Sequence, residues 1–225
     1  MCGRYSQTRS AEAVQQSFQL ATLPEIQPRY NIAPTQPVSV VGLRQGDRGH
    51  RLLTWGLIPS WAKDPTIGSR MINARSETVS EKPSFRAAFK RRRCLIVADG
   101  FYEWQRLGQG KTKQPYYFRL KDRQPFGFAG LWEHWSGPDG SEIQSCTILT
   151  TAPNELLEPV HNRMPVILPA ADYDAWLDPT YYDPEHLQSM LRPYGAETMT
   201  GYAISTAVNN PAHDSPDCLE PLEED

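Results

Sequence analysis

Twenty prolines run through the 225 residues of this chain, and nothing else in it limits the fold so strongly. Proline fixes its own φ, lacks an N–H and pushes the residue before it out of the helical region. Short elements joined by tight turns are therefore favoured. Content of β-branched and aromatic residues marks strands at Val38–Leu43, Arg51–Trp55, Cys94–Ala98, Phe101–Gln105, Tyr116–Leu120, Ile143–Thr150 and Met164–Leu168. Asp99-Gly100 stands between two of these and predicts a two-residue hairpin turn. Helices are predicted at Ala11–Phe18, Ala170–Leu177 and Pro184–Leu191, the last with Asp183 as N-cap and Pro184 at the first helical position. Strands and helices do not alternate regularly, which predicts an α+β fold with mainly antiparallel sheet. The stretch from Pro216 to Asp225 is acidic and is expected to be a disordered, solvated tail, leaving residues 1–215 as one folded domain.

Hydrophobic residues at 39% and charged residues at 22% describe an ordinary globular protein. A net charge of −3 excludes a polycation, so any nucleic-acid site must be a local basic patch. Cys2, Cys94, Cys146 and Cys218 are widely spaced without a C-x-x-C pair, which argues against zinc and offers no disulfide framework. No metal and no cofactor are expected, and a reducing cytosol fits best. No run of about 18 apolar residues exists, and no apolar leader precedes Cys2. The expectation is a protein without a membrane partner, cytoplasmic and nucleoid-associated if bacterial.

Cys2 directly follows Met1. Aminopeptidases usually remove a first methionine that precedes a small residue, and cysteine is small. Removal leaves an α-amine and a thiol on adjacent carbons, a pair that no internal cysteine offers. A 1,2-aminothiol traps an aldehyde in two steps: the amine forms a Schiff base, and the thiol then closes a five-membered thiazolidine. The amine titrates near pH ~8 and the thiol near ~8.5, so both nucleophilic forms exist at neutral pH. Taken alone, the dipeptide reads equally as a frayed terminus.

Other residues suggest chemistry more weakly. Phe101-Tyr102-Glu103-Trp104 sets one carboxylate among three aromatics, and period-two alternation puts Glu103 on the face of Phe101. If that face is interior, desolvation makes Glu103 a general acid near neutrality; on an edge strand it faces water. His161 stands where a loop meets the apolar run Val166-Ile167-Leu168, a common catalytic position, although a lone histidine is more often structural. Arg163 follows two residues on and could hold a phosphate. In Arg70–Thr78, Asn73 could orient an amine through its carbonyl oxygen and Arg75 could hold a phosphate; the alternative is a solvated loop leading into a helix. Lys90-Arg91-Arg92-Arg93 is a weak nucleic-acid signal. Trp55 and Trp61 flank a Gly- and Pro-containing loop. Such rings stack on splayed bases, at about 1–3 kcal/mol per base, or staple the loop to the core, and at least one of the two is expected to do only the latter.

Six motifs occur in order: Cys2-Gly3-Arg4-Tyr5, Arg29-Tyr30-Asn31-Ile32-Ala33-Pro34, Trp55-Gly56-Leu57-Ile58-Pro59, Ile72-Asn73-Ala74-Arg75-Ser76-Glu77, Asp99-Gly100-Phe101-Tyr102-Glu103-Trp104 and His161-Asn162-Arg163-Met164-Pro165. Together they resemble the SRAP family, the SOS-response-associated peptidase-like domain, from Cys2 to about Asn210. The resemblance implies one α+β domain built on a curved, barrel-like antiparallel sheet with peripheral helices. It implies a protein, expected here as a monomer, that binds single-stranded DNA and crosslinks to abasic sites through the N-terminal cysteine, shielding the lesion during DNA repair. On this chain that gives Cys2 as nucleophile, Asn73 as the amide that positions the amine, Glu103 as catalytic carboxylate and His161 as acid/base. Arg4, Arg75 and Arg163 match positions that hold the DNA backbone, and the loop around Trp61 matches a segment that wedges beside the lesion. That loop varies in the family, and here Ala62-Lys63 follows Trp61. A lyase-type outcome, in which the Schiff base goes on to strand cleavage, uses the same residues. Two rival functions remain at this level: a cysteine peptidase pairing Cys2 with His161, and a non-covalent reader of modified bases that needs no Cys2.

Overall fold

Proline punctuation does produce short elements. The computed structural model describes residues 2–44, 46–108 and 112–222. In chain order these form β1 (Tyr5–Gln7), α1 (Ala11–Phe18), β2 (Arg29–Ile32), β3 (Pro37–Arg44), β4 (Asp47–Trp55), β5 (Asn73–Arg75), α2 (Arg86–Arg91), β6 (Arg93–Ala98) and β7 (Gly100–Arg106). There follow β8 (Lys113–Leu120), β9 (Phe126–Ser136), β10 (Glu142–Thr151), β11 (Met164–Pro165), β12 (Ile167–Leu168), α3 (Tyr173–Leu177), α4 (Pro184–Ser189) and β13 (Met199–Ala203).

Five strands close into a barrel. β3 pairs with β4, β4 with β10, β10 with β9, β9 with β6, and β6 returns to β3. Only the β4–β10 contact in that ring is parallel. Closure removes the exposed edges that an open sheet would present. A second, wholly antiparallel sheet has the order β13-β8-β7-β1-β2. Its inner face packs on the barrel, with Tyr5 edge-on to Trp55 at 5.3 Å and Phe101 edge-on to Phe128 at 6.0 Å. β6 serves two cores by alternation. Leu95 and Val97 join Phe18, Phe89, Trp176 and Leu187 of the helices, whereas Cys94, Ile96 and Ala98 join the second sheet. Both faces are buried, so the strand reads as an unbroken apolar run. The expected architecture, a single α+β domain around a curved, mainly antiparallel barrel with peripheral helices, is the one observed.

Several local expectations differ. Asp99-Gly100 is not a hairpin turn, because β6 and β7 lie in different sheets. The dipeptide is the corner at which the chain passes from barrel to second sheet. The Asp99 carboxylate accepts hydrogen bonds from Ser6 Oγ, Thr8 Oγ1 and the N–H groups of Thr8 and Arg9, which ties β1 to that corner. Gly100 is required by proximity: a Cβ there would lie 2.1 Å from the Tyr117 hydroxyl. Met164–Leu168 is not one strand. At Val166 it switches partner, donating to Leu149 O of β10 and accepting from Ala129 N of β9, each at 2.8 Å. Ala170–Leu177 opens as a 3-10 turn over Ala170–Asp172 before α3 begins.

The stretch from Pro216 is not a disordered tail through Leu222. Pro216–Leu219 forms a 3-10 turn, Cys218 is buried, Ile204 bridges to Pro221, and Leu222 N donates to Ala203 O at 2.9 Å. This segment covers the Tyr102 and Tyr117 face of the second sheet. Residues 223–225, where the acidic charge is densest, lie outside the described residues. No helix among the described residues is long and apolar enough to cross a membrane.

Candidate active site

Sheet registers bring together four side chains that are far apart in sequence. β1 pairs antiparallel with β7, Tyr5 opposite Phe101, and Tyr102 N donates to Arg4 O at 3.0 Å. Continuing that register runs the chain before β1 alongside Glu103. On the barrel side, Thr150 of β10 is paired with both Arg75 of β5 and Pro165 of β11. That shared neighbour draws Asn73 and the His161–Arg163 segment to one place. Gly56 and Gly68 make a further close approach: a Cβ on Gly56, where φ is +133°, would sit 2.6 Å from Gly68 O. Two glycines therefore let the Pro65–Arg70 turn lie on the strand end that leads into the Trp61 loop.

Cys2 is fully buried, and its thiol faces Arg4 O at 3.8 Å. Burial pushes the thiol well above its ordinary pKa, and the negative charge of Glu103 pushes it the same way. Asn73 Nδ2 donates to the Cys2 carbonyl at 2.7 Å. That bond fixes the amide orientation, and its Oδ1 is buried with no donor among the described residues. An acceptor is thus left beside Cys2, where an amine would need one.

Glu103 is 2% exposed, so the interior reading of its strand face holds. Burial pushes its carboxyl up to about 7. His161 Nε2 lies 3.8 Å from Glu103 Oε2. His161 Nδ1 accepts from the backbone N–H of Arg163 at 3.0 Å. Nδ1 also lies 3.2 Å from the Arg163 carbonyl oxygen, so the Arg163 backbone holds the ring with Nε2 facing Glu103. Partial burial lowers the imidazole pKa, so the neutral ring prevails at pH 7.

The three arginines differ from one another. Arg4 Nη1 donates to Asn31 Oδ1 at 3.0 Å and to Val208 O at 2.8 Å, which ties the C-terminal segment to β1, and among the described residues these partners are neutral. Arg75 is exposed. Arg163 is paired bidentately with Glu77 and also donates to Thr150 O. Trp61 is 59% exposed, whereas Trp55 is buried and donates to Ile72 O at 2.8 Å. Of the two tryptophans, Trp55 is the staple.

Sequence reasoning missed the cavity of about 420 Å³ beside His161, which is lined in part by Trp104, Arg106 and Lys113. Its signal was available only in part, because Arg106 and Lys113 are brought opposite each other by the β7–β8 pairing. The Lys90–Arg93 run is not a basic patch. Arg92 pairs with Glu133 at 2.7 Å. Arg93 is buried and donates to the carbonyls of Phe89, Lys90, Trp176, Asp178 and Tyr181, satisfying two helix ends at once.

A barrel backed by a second sheet, with the cysteine at position 2, an amide, a carboxylate and a histidine at their junction, defines a compact class of single-domain proteins. Residues 1–211 match the family model described as SOS response associated peptidase (SRAP), and the chain belongs to that family. It is 48% identical to the abasic site processing protein YoqW of Bacillus subtilis, over 98% of this chain and 99% of that one. It is 34% identical to the abasic site processing protein HMCES of Gallus gallus, over 87% of this chain and 67% of that one. A crystal structure of a Bacteroides thetaiotaomicron protein superposes with a TM-score of 0.86 at 27% identity, covering 99% of this chain and all of the other.

Proposed function

We propose that this protein binds single-stranded DNA and crosslinks to abasic sites through Cys2 once Met1 has been removed. The observation that carries the reading is the convergence of Asn73 and Glu103 on Cys2, with His161 3.8 Å from the Glu103 carboxylate. An abasic sugar is mostly a closed hemiacetal. Glu103 donates a proton to the ring oxygen and takes one from the anomeric hydroxyl, which opens the ring to the aldehyde and leaves the carboxyl protonated. The Cys2 amine, oriented by Asn73 Oδ1, attacks the aldehyde carbon to give a carbinolamine. Protonation of its hydroxyl by Glu103 releases water, the neutral His161 ring takes the proton from nitrogen, and the imine is left. The thiol sulfur then bonds to the imine carbon, its proton passes to nitrogen, and the thiazolidine is closed. Ring closure removes the imine that would otherwise proceed to β-elimination and strand cleavage.

Carboxyl and carboxylate forms of Glu103 coexist near neutrality, as one group that both gives and takes protons requires. The raised thiol pKa weighs against the peptidase alternative, which needs a thiolate paired with imidazole. It also orders the steps, with amine before thiol. Substituting Cys2→Ser separates them. The variant should lose the stable adduct yet be trapped on abasic DNA by borohydride, because its amine survives. A heat-stable adduct formed in full yield by Cys2→Ala without reductant would remove the thiazolidine from the account.

A further inference from the structure

Both Nη atoms of Arg163 are engaged within the protein, although it stands beside the proposed reaction centre, and its Nε is buried without a partner among the described residues. Its Nη2 donates to Glu77 Oε2 at 3.0 Å, its Nη1 to Glu77 Oε1, and Nη2 also reaches Thr150 O. The guanidinium side chain is 14% exposed, and the Glu77 side chain is 52% exposed. Glu77 sits in the 3-10 turn Ser76–Thr78, directly after the strand that carries Asn73 and Arg75. Both Arg163 and Arg75 act on its carboxylate electrostatically, Arg163 the more strongly, through its hydrogen bond. A half-exposed carboxylate therefore faces two cations, with two oxygens on one guanidinium fork. A phosphate would present the same fork geometry to the same donors.

We propose that Glu77 is an internal stand-in for a DNA phosphate, exchanged for the backbone of the bound strand at Arg163. This rests on the single-stranded DNA reading of the site. In the free protein, Glu77 relieves the repulsion between Arg163 and Arg75 and keeps Arg163 in place. The Arg163 backbone N–H can then hold His161 Nδ1. When the strand arrives, a phosphate takes the Arg163 fork and the half-exposed carboxylate turns to water. The consequence is a tuned affinity: one of the cations beside the site is neutralised in advance, so undamaged strands are released more readily.

Counterion release makes this measurable. Each cation that neutralises a single-strand phosphate contributes roughly −0.7 to the slope of log K against log salt. Arg4 and Arg75 alone give about −1.4. Displaced Glu77 collects a cation of its own, which cancels the gain from Arg163. Glu77→Gln keeps size and hydrogen bonding but removes the charge. It should steepen the slope to about −2.1 and tighten binding about two- to fivefold at low salt, the range of an exposed ion pair.

The test is equilibrium binding of a fluorescent single-stranded oligonucleotide without a lesion, across a salt series, to wild type, Glu77→Gln, Glu77→Ala, Arg75→Ala, Arg163→Gln and the Glu77→Gln/Arg163→Gln double variant. Thermal melting of each protein is followed in parallel. The proposal predicts a tighter, steeper isotherm for both Glu77 variants and no gain in the Arg163→Gln background. Weaker or unchanged binding by both Glu77 variants, with Arg75→Ala still impairing the wild-type interaction, overturns the phosphate exchange while keeping the DNA reading. An equal gain with and without Arg163 also overturns it, because the effect is then general charge. Absence of any wild-type binding at low salt overturns both.

Discussion

Replacing Glu103 by glutamine should slow crosslinking far more than it weakens DNA binding. The magnitude follows from burial. A carboxyl with a pKa of about 7 is half protonated at pH 7, whereas one at the ordinary 4.5 is protonated to roughly 0.3%. Burial therefore multiplies the available acid about 160-fold, within the ~10²–10⁴-fold that general acid–base catalysis supplies. Glutamine keeps the size and hydrogen bonding of the side chain but has no proton to transfer at these pH values. The expected rate loss at pH 7 is about 10²–10³-fold, with affinity changed only a few-fold. The pH profile sharpens the test. The amine must be neutral, which favours pH above ~8, while Glu103 must be protonated, which favours pH below about 7. Wild type should give a bell with its maximum between these values. Glu103→Gln should lose the alkaline limb and rise steadily toward pH 9. Single-turnover kinetics on a preformed abasic oligonucleotide measure both curves. If Glu103→Gln crosslinks at the wild-type rate from pH 5 to 8, Glu103 is structural and another group moves the proton.

The same carboxyl makes a stability prediction that needs no DNA. Its folded pKa is raised from 4.5 to about 7, so its favourable contribution is complete below pH ~4.5, declines as pH rises and is gone above about 7. Glu103→Gln should thus match wild type in denaturant unfolding at pH 4.5 and exceed it by about 2–4 kcal/mol at pH 8; a constant difference across that window contradicts the buried titration. Trp61→Ala should weaken single-strand binding by about 1–3 kcal/mol without lowering the melting temperature, because the ring is largely exposed; a loss of stability instead would make Trp61 a packing residue. Gly100→Ala should cost about 1–3 kcal/mol, since Ser6 is hydrogen-bonded to the Tyr117 hydroxyl that a new methyl would strike. Chemical denaturation checks it, and a neutral result would mean the corner relaxes freely.

How far the sequence could be read depended on whether the signal was local. β3, β6, β8 and β10 were visible because β-branched and aromatic residues dominate them. β9, the strand paired with three others, was hidden by Gly127 and Gly130, which resemble turn residues. Those glycines sit where Leu95, Cys94 and Ile96 of β6 press closest, so they answer to a packing need on a strand distant in sequence. Asp99-Gly100 misled for the same reason, since its partners are β1 and Tyr117 rather than each other. The seemingly disordered tail is held by Tyr202, Ala203 and Ile204, contacts that composition does not encode. In the site, Glu103 and His161 were singled out by local setting, but their separation of 3.8 Å depends on tertiary pairing. The occupation of Arg163 by Glu77 was invisible too, because it joins residues 86 positions apart.

Intact-mass analysis after mixing with abasic single-stranded DNA tests the central claim most directly. The account predicts that wild-type protein lacking Met1 gains the mass of the oligonucleotide less one water, without reductant, because imine formation releases water and thiol addition loses nothing. Protein whose α-amine is blocked should gain nothing. Full adduct formation by the blocked protein, or an unmodified wild type in the presence of excess abasic strand, would contradict the assignment of Cys2 as a 1,2-aminothiol.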